Sequence, residues 1–311
     1  MDSNSPVTNC LFEEPWWLDA VAPGAWDAVE VRVNGEVRAR LPFILGRRYF
    51  FRSILQPPLT QTLGPWLKSG EGKNATRLAR EKDLMFALIE SLPEYDRFSQ
   101  SFHYAITNWL PFSWKGFSQT TRYTYVLDDL SDLDAVWDGF QVNIRTDVRK
   151  AQRRLEVERG RPAANIMDTL AMTFTRQGMR TPYAPDLVER IEAACGPERC
   201  ATFAAVDATR RIHACAFIVW DKRSAYYLLS GGDPELRNSG AQSLVLWEAI
   251  KFAATVTRKF DFEGSMLEPV ERFFRAFGAR LRPYFHVTFA RRTARCAEAV
   301  KAALRAAKLW R

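Results

Sequence analysis

The chain has 311 residues, 47% hydrophobic and 26% charged, proportions of a globular protein that exclude a disordered or fibrous one, with length enough for two modest domains or one large core. A formal net charge of +8 suits polyanionic partners (tRNA, a nucleotide-activated sugar, coenzyme A, an anionic membrane face) and selects none of them. Five cysteines without a C-x-x-C pair argue against a disulfide framework, and no apolar run approaches the roughly 20 residues of a membrane span, so a cytoplasmic protein is expected.

Leu11–Val21 reads as a short helix that lays Trp16 and Trp17 on the body. Asp27–Val33 and Glu36–Leu45 flank Asn34-Gly35, the strongest short hairpin signal. Tyr49–Leu55 offers a third strand, and the Pro- and Gly-bearing stretch Gln56–Leu67 is loop. Ala75–Leu92 reads as a helix; Arg97–Thr107 and Thr121–Leu127 read as strands. The join falls near Leu130. From Asp132 to Glu158, Leu133, Val136, Trp137, Phe140, Ile144, Val148, Ala151 and Leu155 recur at helical spacing, which predicts one long helix. Its other face carries Arg145, Arg149 and Lys150, either a stripe that holds a phosphate or a solvated face.

Ala201–Val206, Ile212–Trp220 and Ala225–Leu229 form a three-strand meander. A Gly231-Gly232-Asp233-Pro234 turn follows, then a helix with Ser239 as N-cap and Gly240 in its first turn. From Leu244 to Val256 that helix is apolar nearly all round, so burial is expected. Lys259–Glu263 is a short strand. Pro269 opens a helix with Val270, Phe273, Phe274 and Phe277 on one face, closed by Gly278. The last strand, Leu281–Phe289, alternates Leu281, Phe285, Val287 and Phe289 against Tyr284, His286 and Thr288. The tail 293–311 reads as a basic amphipathic helix, either docked or lying on a membrane or RNA. Both halves share one order (meander, helix, strand, crossover, strand), which places domains at 10–130 and 131–311.

Three places could carry chemistry. A helix start binds anions because its first N–H groups lack intrahelical partners and the macrodipole adds positive potential. Here Arg237 stands just outside, and Gly231, Gly232 and Gly240 leave room for a ligand; the alternative is an ordinary capped helix. Asp261 and Glu263, two apart on a strand, project from one face while Phe260 and Phe262 take the other. Such acids suit a general base for an amine, or an ion pair with Arg272, Arg275 or Arg280. His213 and Cys215 share a strand face, but no third ligand has metal spacing, so a core histidine and no metal site are expected.

Tyr226-Tyr227, Gly231-Gly232-Asp233, Ser239-Gly240-Ala241, Leu246-Trp247-Glu248-Ala249-Ile250, Asp261-Phe262-Glu263-Gly264-Ser265, Phe273-Phe274-Arg275 and Phe277-Gly278-Ala279 together resemble the C-terminal half of FemAB-like proteins. Upstream, Asn143-x-Arg145, Arg149-Lys150-Ala151, Arg176-Gln177-Gly178 and Pro182-Tyr183 resemble the same group, which belongs to the GNAT superfamily of acyltransferases. The resemblance implies an α/β (α+β) fold of tandem GNAT-like domains, each a mixed, mostly antiparallel sheet flanked by helices, the first degenerate. It implies an N-acyltransferase that moves an acyl or aminoacyl group to the amine of a cell-envelope or polysaccharide precursor. No tightly bound cofactor is implied; the cosubstrate is acyl-CoA or aminoacyl-tRNA. The donor would lie on Gly231, Gly232, Arg237, Ser239 and Gly240, and the acceptor near Arg145, Arg149, Lys150, Gln177 and Tyr183. Asp261 or Glu263 would be the base, and Tyr227 the proton donor to the leaving group. The GNAT pyrophosphate signature, Arg/Gln-x-x-Gly-x-Gly/Ala, is met by Arg237 and Gly240 but departs at Gln242. Competing readings are a scaffold protein that kept the fold without the chemistry, and a nonspecific RNA-binding protein.

Overall fold

In the computed structural model, residues 7–48, 50–176 and 183–296 are described. They divide into two units, residues 1–122 with 284–311, and residues 123–283. The sequence division at 130/131 cuts later and leaves the last strand in the second half.

The first unit grows from a tight turn. Asn34 and Gly35 take φ of 52° and 80°, the left-handed pair that a two-residue hairpin needs. They join β1 (Trp26–Val33) to β2 (Glu36–Arg48) with Val33 opposite Glu36. Ahead of them, α1 (Pro15–Val21) buries Trp17, whose Nε1 donates to Thr60 Oγ1 at 3.0 Å. β3 (Phe51–Leu55) pairs antiparallel with β2, as does the short β4 (Trp66–Leu67). α2 (Asn74–Ser91) then returns the chain so that β5 (Arg97–Ser101) lies parallel to β3. α3 (Leu110–Trp114) follows. The last strand of the chain (Arg280–Ala290) completes this sheet antiparallel to β5, with His286 opposite Ser101. Phe98, Phe102, Phe112 and Val287 are central to the core. The predicted alternation of that strand holds only in part: Val287 is buried, but Leu281 is exposed and Tyr284 is buried.

The second unit begins within β6 (Ser118–Leu127). The single long helix expected over 132–158 is instead α4 (Leu133–Asp138), α5 (Val142–Gln152) and the strand β7 (Glu156–Arg159). The break has a packing cause. Phe140 leaves the helical path to lodge between Trp247 and Phe277, with centroids 5.2 and 4.9 Å away, and Gln141 N donates to Ala276 O at 2.8 Å. β7 forms because β8 (Cys200–Val206) otherwise presents an open edge; Glu156 pairs with Val206. α6 (Met167–Arg176) and α7 (Pro185–Cys195) precede β8. β9 (Ile212–Trp220) and β10 (Ala225–Gly232) complete an antiparallel meander.

α8 (Ala241–Val256) is buried as its sequence predicts, with Leu244, Val245, Leu246, Ala249, Ile250 and Ala253 all in the core. β11 is only Phe260–Asp261, parallel to β10 and antiparallel to β6. α9 (Glu268–Arg275) follows, and the chain continues into the strand already described, here β12. Each unit is thus an antiparallel meander extended by one parallel pair, β3 with β5 and β10 with β11, with helices alongside. Among the described residues, no helix is long and apolar enough to cross a membrane. Gln177 and the tail from residue 297, assigned above to acceptor contact and to a basic helix, lie outside the described residues.

Candidate active site

β10 and β11 touch briefly and then part. Their register contains Ala225 with Phe260 and Tyr226 with Asp261, whereas β10 runs on to Gly232. Midway, β10 carries a bulge: Tyr227 pairs with Ile218 and Leu229 with Phe217, leaving Leu228 as the extra residue. A bulge re-aims the side chains around it and frees backbone groups from the ladder. Where the strands diverge, a cavity of about 280 Å³ opens. Tyr227, Gly231 and Gly232 line it from β10, Arg237, Ser239 and Gln242 from the start of α8, and Pro269, Val270, Phe273 and Phe274 from α9; His213 and Asp233 also border it.

The helix start differs from its predicted form. Ser239 ends a short 3₁₀ turn, and Gly240, with φ of 80°, is the N-cap residue. Ser239 Oγ still accepts from Ala241 N at 3.3 Å. Glycine is required at 240 by packing: an added Cβ would lie 3.0 Å from the carbonyl carbon of Asp147 on α5. Gly240 is therefore closed off by α5 and is not a cavity-lining residue. Gly231 likewise admits the backbone of α6, since a Cβ there would meet Leu170 Cα at 2.7 Å. Both glycines admit the close approach of protein backbone, and of the two only Gly231 also lines the cavity.

Tyr227 is 4% exposed and sits over Phe274, centroids 6.0 Å apart. Its hydroxyl accepts a hydrogen bond from Gln242 Nε2 at 2.6 Å, so the glutamine that breaks the small-residue signature has a defined task. Burial pushes the phenol well above its usual range, which keeps the proton on the oxygen.

The two acids occupy a different place. The strand ends at Asp261, and Glu263 takes a left-handed φ of 57°, so alternation along a strand does not bring them together. A turn does: Glu263 N donates to Asp261 Oδ1 at 2.8 Å, and Thr124 Oγ1 donates to the same oxygen at 2.5 Å. Asp261 is 1% exposed. Glu263 Oε1 is shut off from solvent with no hydrogen-bond partner among the described residues. Burial first, then the charge of Asp261, raises the Glu263 carboxyl well above the ordinary carboxylate range. Gly264, φ 64°, holds the turn against Thr124, whose Cα would be 2.6 Å from a Cβ. Neither acid borders the 280 Å³ cavity. The arginines named as their partners pair elsewhere: Arg272 with Glu268, Arg275 with Glu271 and Arg280 with Asp128.

Arg145 reaches Asp138, with its Nη1 donating to the backbone oxygen at 3.4 Å, and Arg149 lies over the Trp137 ring at 5.5 Å. Lys150 Nζ donates to Asn238 O at 2.5 Å, beside the start of α8. None of the three lines the cavity. Tyr183 is 8% exposed, with its phenol raised by burial. The cavity thus gathers Tyr227, Gly231, Gly232, Arg237 and Ser239 from the sequence-based set. Gln242, Phe273, Phe274 and His213 went unassigned as site residues; only Gln242 gave a signal, as a misfit in a recognised pattern.

Residues 140–275 match the family model described as Acetyltransferase (GNAT) domain. No curated protein matches the chain in sequence. Among solved structures, FemX is similar at 14% identity and TM-score 0.65, over 88% of this chain and 91% of that one. The C-terminal domain of a protein from Agrobacterium fabrum, assigned as a lysylphosphatidylglycerol synthetase, aligns at 12% identity and TM-score 0.55 over 92% and 91%. A tandem GNAT protein from the clavulanic acid biosynthesis pathway aligns at 13% identity and TM-score 0.50 over 86% and 83%. At these identities the likeness is one of fold.

Proposed function

Residues 140–275 match the GNAT acetyltransferase model, and we propose on that ground that the chain is an N-acyltransferase whose donor is an acyl thioester bound in the cavity between α8 and α9. The observation that carries this reading is the parting of β10 from β11. Among the described residues the pairing with β11 stops at Tyr226, and an extended amide-containing arm can hydrogen-bond along the β10 edge between Tyr227 and Ser230. Phosphates at the far end of that arm would meet the start of α8 and Arg237, where unpaired N–H groups and the macrodipole favour negative charge.

The reaction then divides between the two faces of the strands. Tyr227 shares one face with Phe260, centroids 6.3 Å apart, and Asp261, the next residue along, takes the other beside Thr124. An acceptor amine attacks the thioester carbonyl. A backbone N–H released by the bulge at Leu228 polarises the carbonyl oxygen. Since neither acid borders the cavity, the amine proton passes through water to the Asp261–Glu263 pair, and Tyr227 supplies a proton to the departing thiolate. The acceptor is the amine of a sugar-linked or envelope precursor, and an aminoacyl-tRNA donor is the alternative. Calorimetric titration with acetyl-CoA, a long-chain acyl-CoA and an aminoacyl-tRNA separates these readings. Saturable binding of an acyl-CoA supports the thioester donor, binding of the tRNA alone replaces it, and no binding of any favours a scaffold.

A further inference from the structure

The hydroxyl of Tyr227 has one freedom left. Its ring is buried between Phe274 and Phe260, with centroids 6.0 and 6.3 Å away, so packing fixes where the oxygen lies. It does not fix which way the O–H points. A phenol oxygen accepts as well as donates, and its neighbours decide which. Here the neighbour is Gln242, on the first turn of α8, whose Nε2 stands 2.6 Å from the oxygen. The other end of that amide, Oε1, faces the Gly232 backbone, 3.4 Å from where a Cβ would stand. An amide N–H has no lone pair to offer, so the phenol hydrogen is not spent on Gln242. Among the described residues, the other group bonded to the oxygen is the Ser230 hydroxyl. Ser230, like Tyr227 and Gln242, borders the 280 Å³ cavity. The hydrogen is therefore left on the cavity side.

We propose that Gln242 is the positioning residue of the proton donor: it turns the Tyr227 O–H toward the scissile thioester and then holds the phenolate that proton transfer leaves. This deepens the donor reading above and rests on it. The step balances. The nitrogen lone pair of the acceptor bonds to the carbonyl carbon, the C–S bond breaks with its electron pair on sulfur, and the phenol hydrogen moves to that sulfur. Water returns a proton to the phenolate before the next turnover. Burial opposes this transfer by pushing the phenol well above its usual range, while Ser230 and Gln242 act in the opposite direction. A hydrogen bond whose acceptor gains charge strengthens as the proton leaves, so its contribution falls on the transition state and not on substrate binding. A small residue, which the signature Arg/Gln-x-x-Gly-x-Gly/Ala asks for here, would not reach the phenol. The departure at Gln242 thus serves proton transfer.

Changing the leaving group separates proton supply from structure. Full-length wild type, Tyr227→Phe, Gln242→Met and Gln242→Glu are given two uncharged esters, S-acetylpantetheine and S-phenyl thioacetate, with hydroxylamine as the acceptor amine. Thiol released above the enzyme-free rate is followed. An aryl thiolate departs unaided, whereas an alkyl thiolate benefits from the acid. Met keeps the length of Gln without its donor, and Glu offers an acceptor that draws the phenol hydrogen away from the cavity. On the pantetheine ester we expect kcat to fall about tenfold in Gln242→Met, the factor of one charge-assisted hydrogen bond. In Gln242→Glu it should fall about 10²-fold, as in Tyr227→Phe. On the phenyl ester all three losses should be far smaller, and Gln242→Met should keep the wild-type KM for the pantetheine ester. Gln242→Met, which adds no charge, decides the matter if Gln242→Glu fails to fold. Equal losses on both esters, or a raised KM at unchanged kcat, would make Gln242 part of the cavity wall only and overturn the inference. If Tyr227→Phe shows the leaving-group dependence while the Gln242 variants match wild type, the inference is wrong and the donor reading stands. If Tyr227→Phe matches wild type on both esters, the acid role falls and the inference with it. Thiol release from neither ester by wild type removes the donor reading as well.

Discussion

Gly240→Ala asks whether α5 sets where α8 begins. The substitution imposes two costs that a second glycine separates. Gly160 has φ of 84° and open space where a Cβ would go; Gly240 has φ of 80° and backbone of Asp147 at 3.0 and 3.1 Å. Both lie in the second unit. Alanine in the left-handed region costs about 1–2 kcal/mol at either position. Only at 240 is there overpacking, about 1–3 kcal/mol, because the obstacle is main chain and cannot swing aside. Gly160→Ala should therefore lose about 1–2 kcal/mol and Gly240→Ala about 2–5 kcal/mol. Urea unfolding without ligand, at unchanged m-value, measures the difference. A shifted helix start should also weaken coenzyme A binding in Gly240→Ala and leave it intact in Gly160→Ala. Equal midpoints for the two variants would refute the claim that α5 fixes this end of α8.

Tyr227→Phe keeps the ring over Phe274 but removes the proton, so kcat with an acyl-CoA should fall about 10²-fold with the donor KM little changed; an unaltered kcat dismisses Tyr227 as the acid. Glu263→Gln should abolish a rise in rate with pH, since a base whose pKa is raised acts only after losing its proton as pH climbs through that value. The same substitution has a stability signature. In the unfolded chain Glu263 ionises in the ordinary carboxylate range, while the folded protein keeps the proton to higher pH, so wild-type stability declines across that window. Glu263→Gln should therefore gain stability relative to wild type as pH rises, read from thermal melts at pH 4 and pH 8; an unchanging difference refutes the buried, protonated carboxyl. Phe274→Ala opens a void beneath Tyr227 and beside Phe262, whose centroid is 5.3 Å away, and should cost about 3–5 kcal/mol in the same urea assay.

What could be read from the sequence was what short-range rules decide. The Asn34-Gly35 hairpin, the all-apolar α8 and the Pro-led α9 follow from turn chemistry and periodicity within a few residues. What failed was decided at a distance. The helical spacing from Leu133 to Leu155 is genuine, but Phe140 does better between Trp247 and Phe277 than in a continuous helix, and the open edge of β8 claims Glu156–Arg159. Gly240 looked like a first-turn residue because the reason for its glycine, the Asp147 backbone, lies far off in sequence. Asp261 and Glu263 were expected to meet by strand alternation and meet through a left-handed turn instead.

The sheet of the first unit is finished by residues 284–290, made 183 residues (284 less 101) after the end of β5. At synthesis rates of about 5–20 residues per second, the nascent chain waits on the order of 10–40 s with one side of β5 bare. An uncovered strand edge is a template for pairing with any neighbouring polypeptide. The first unit is therefore on hold while the second is made, which makes the yield of native protein sensitive to chaperone supply.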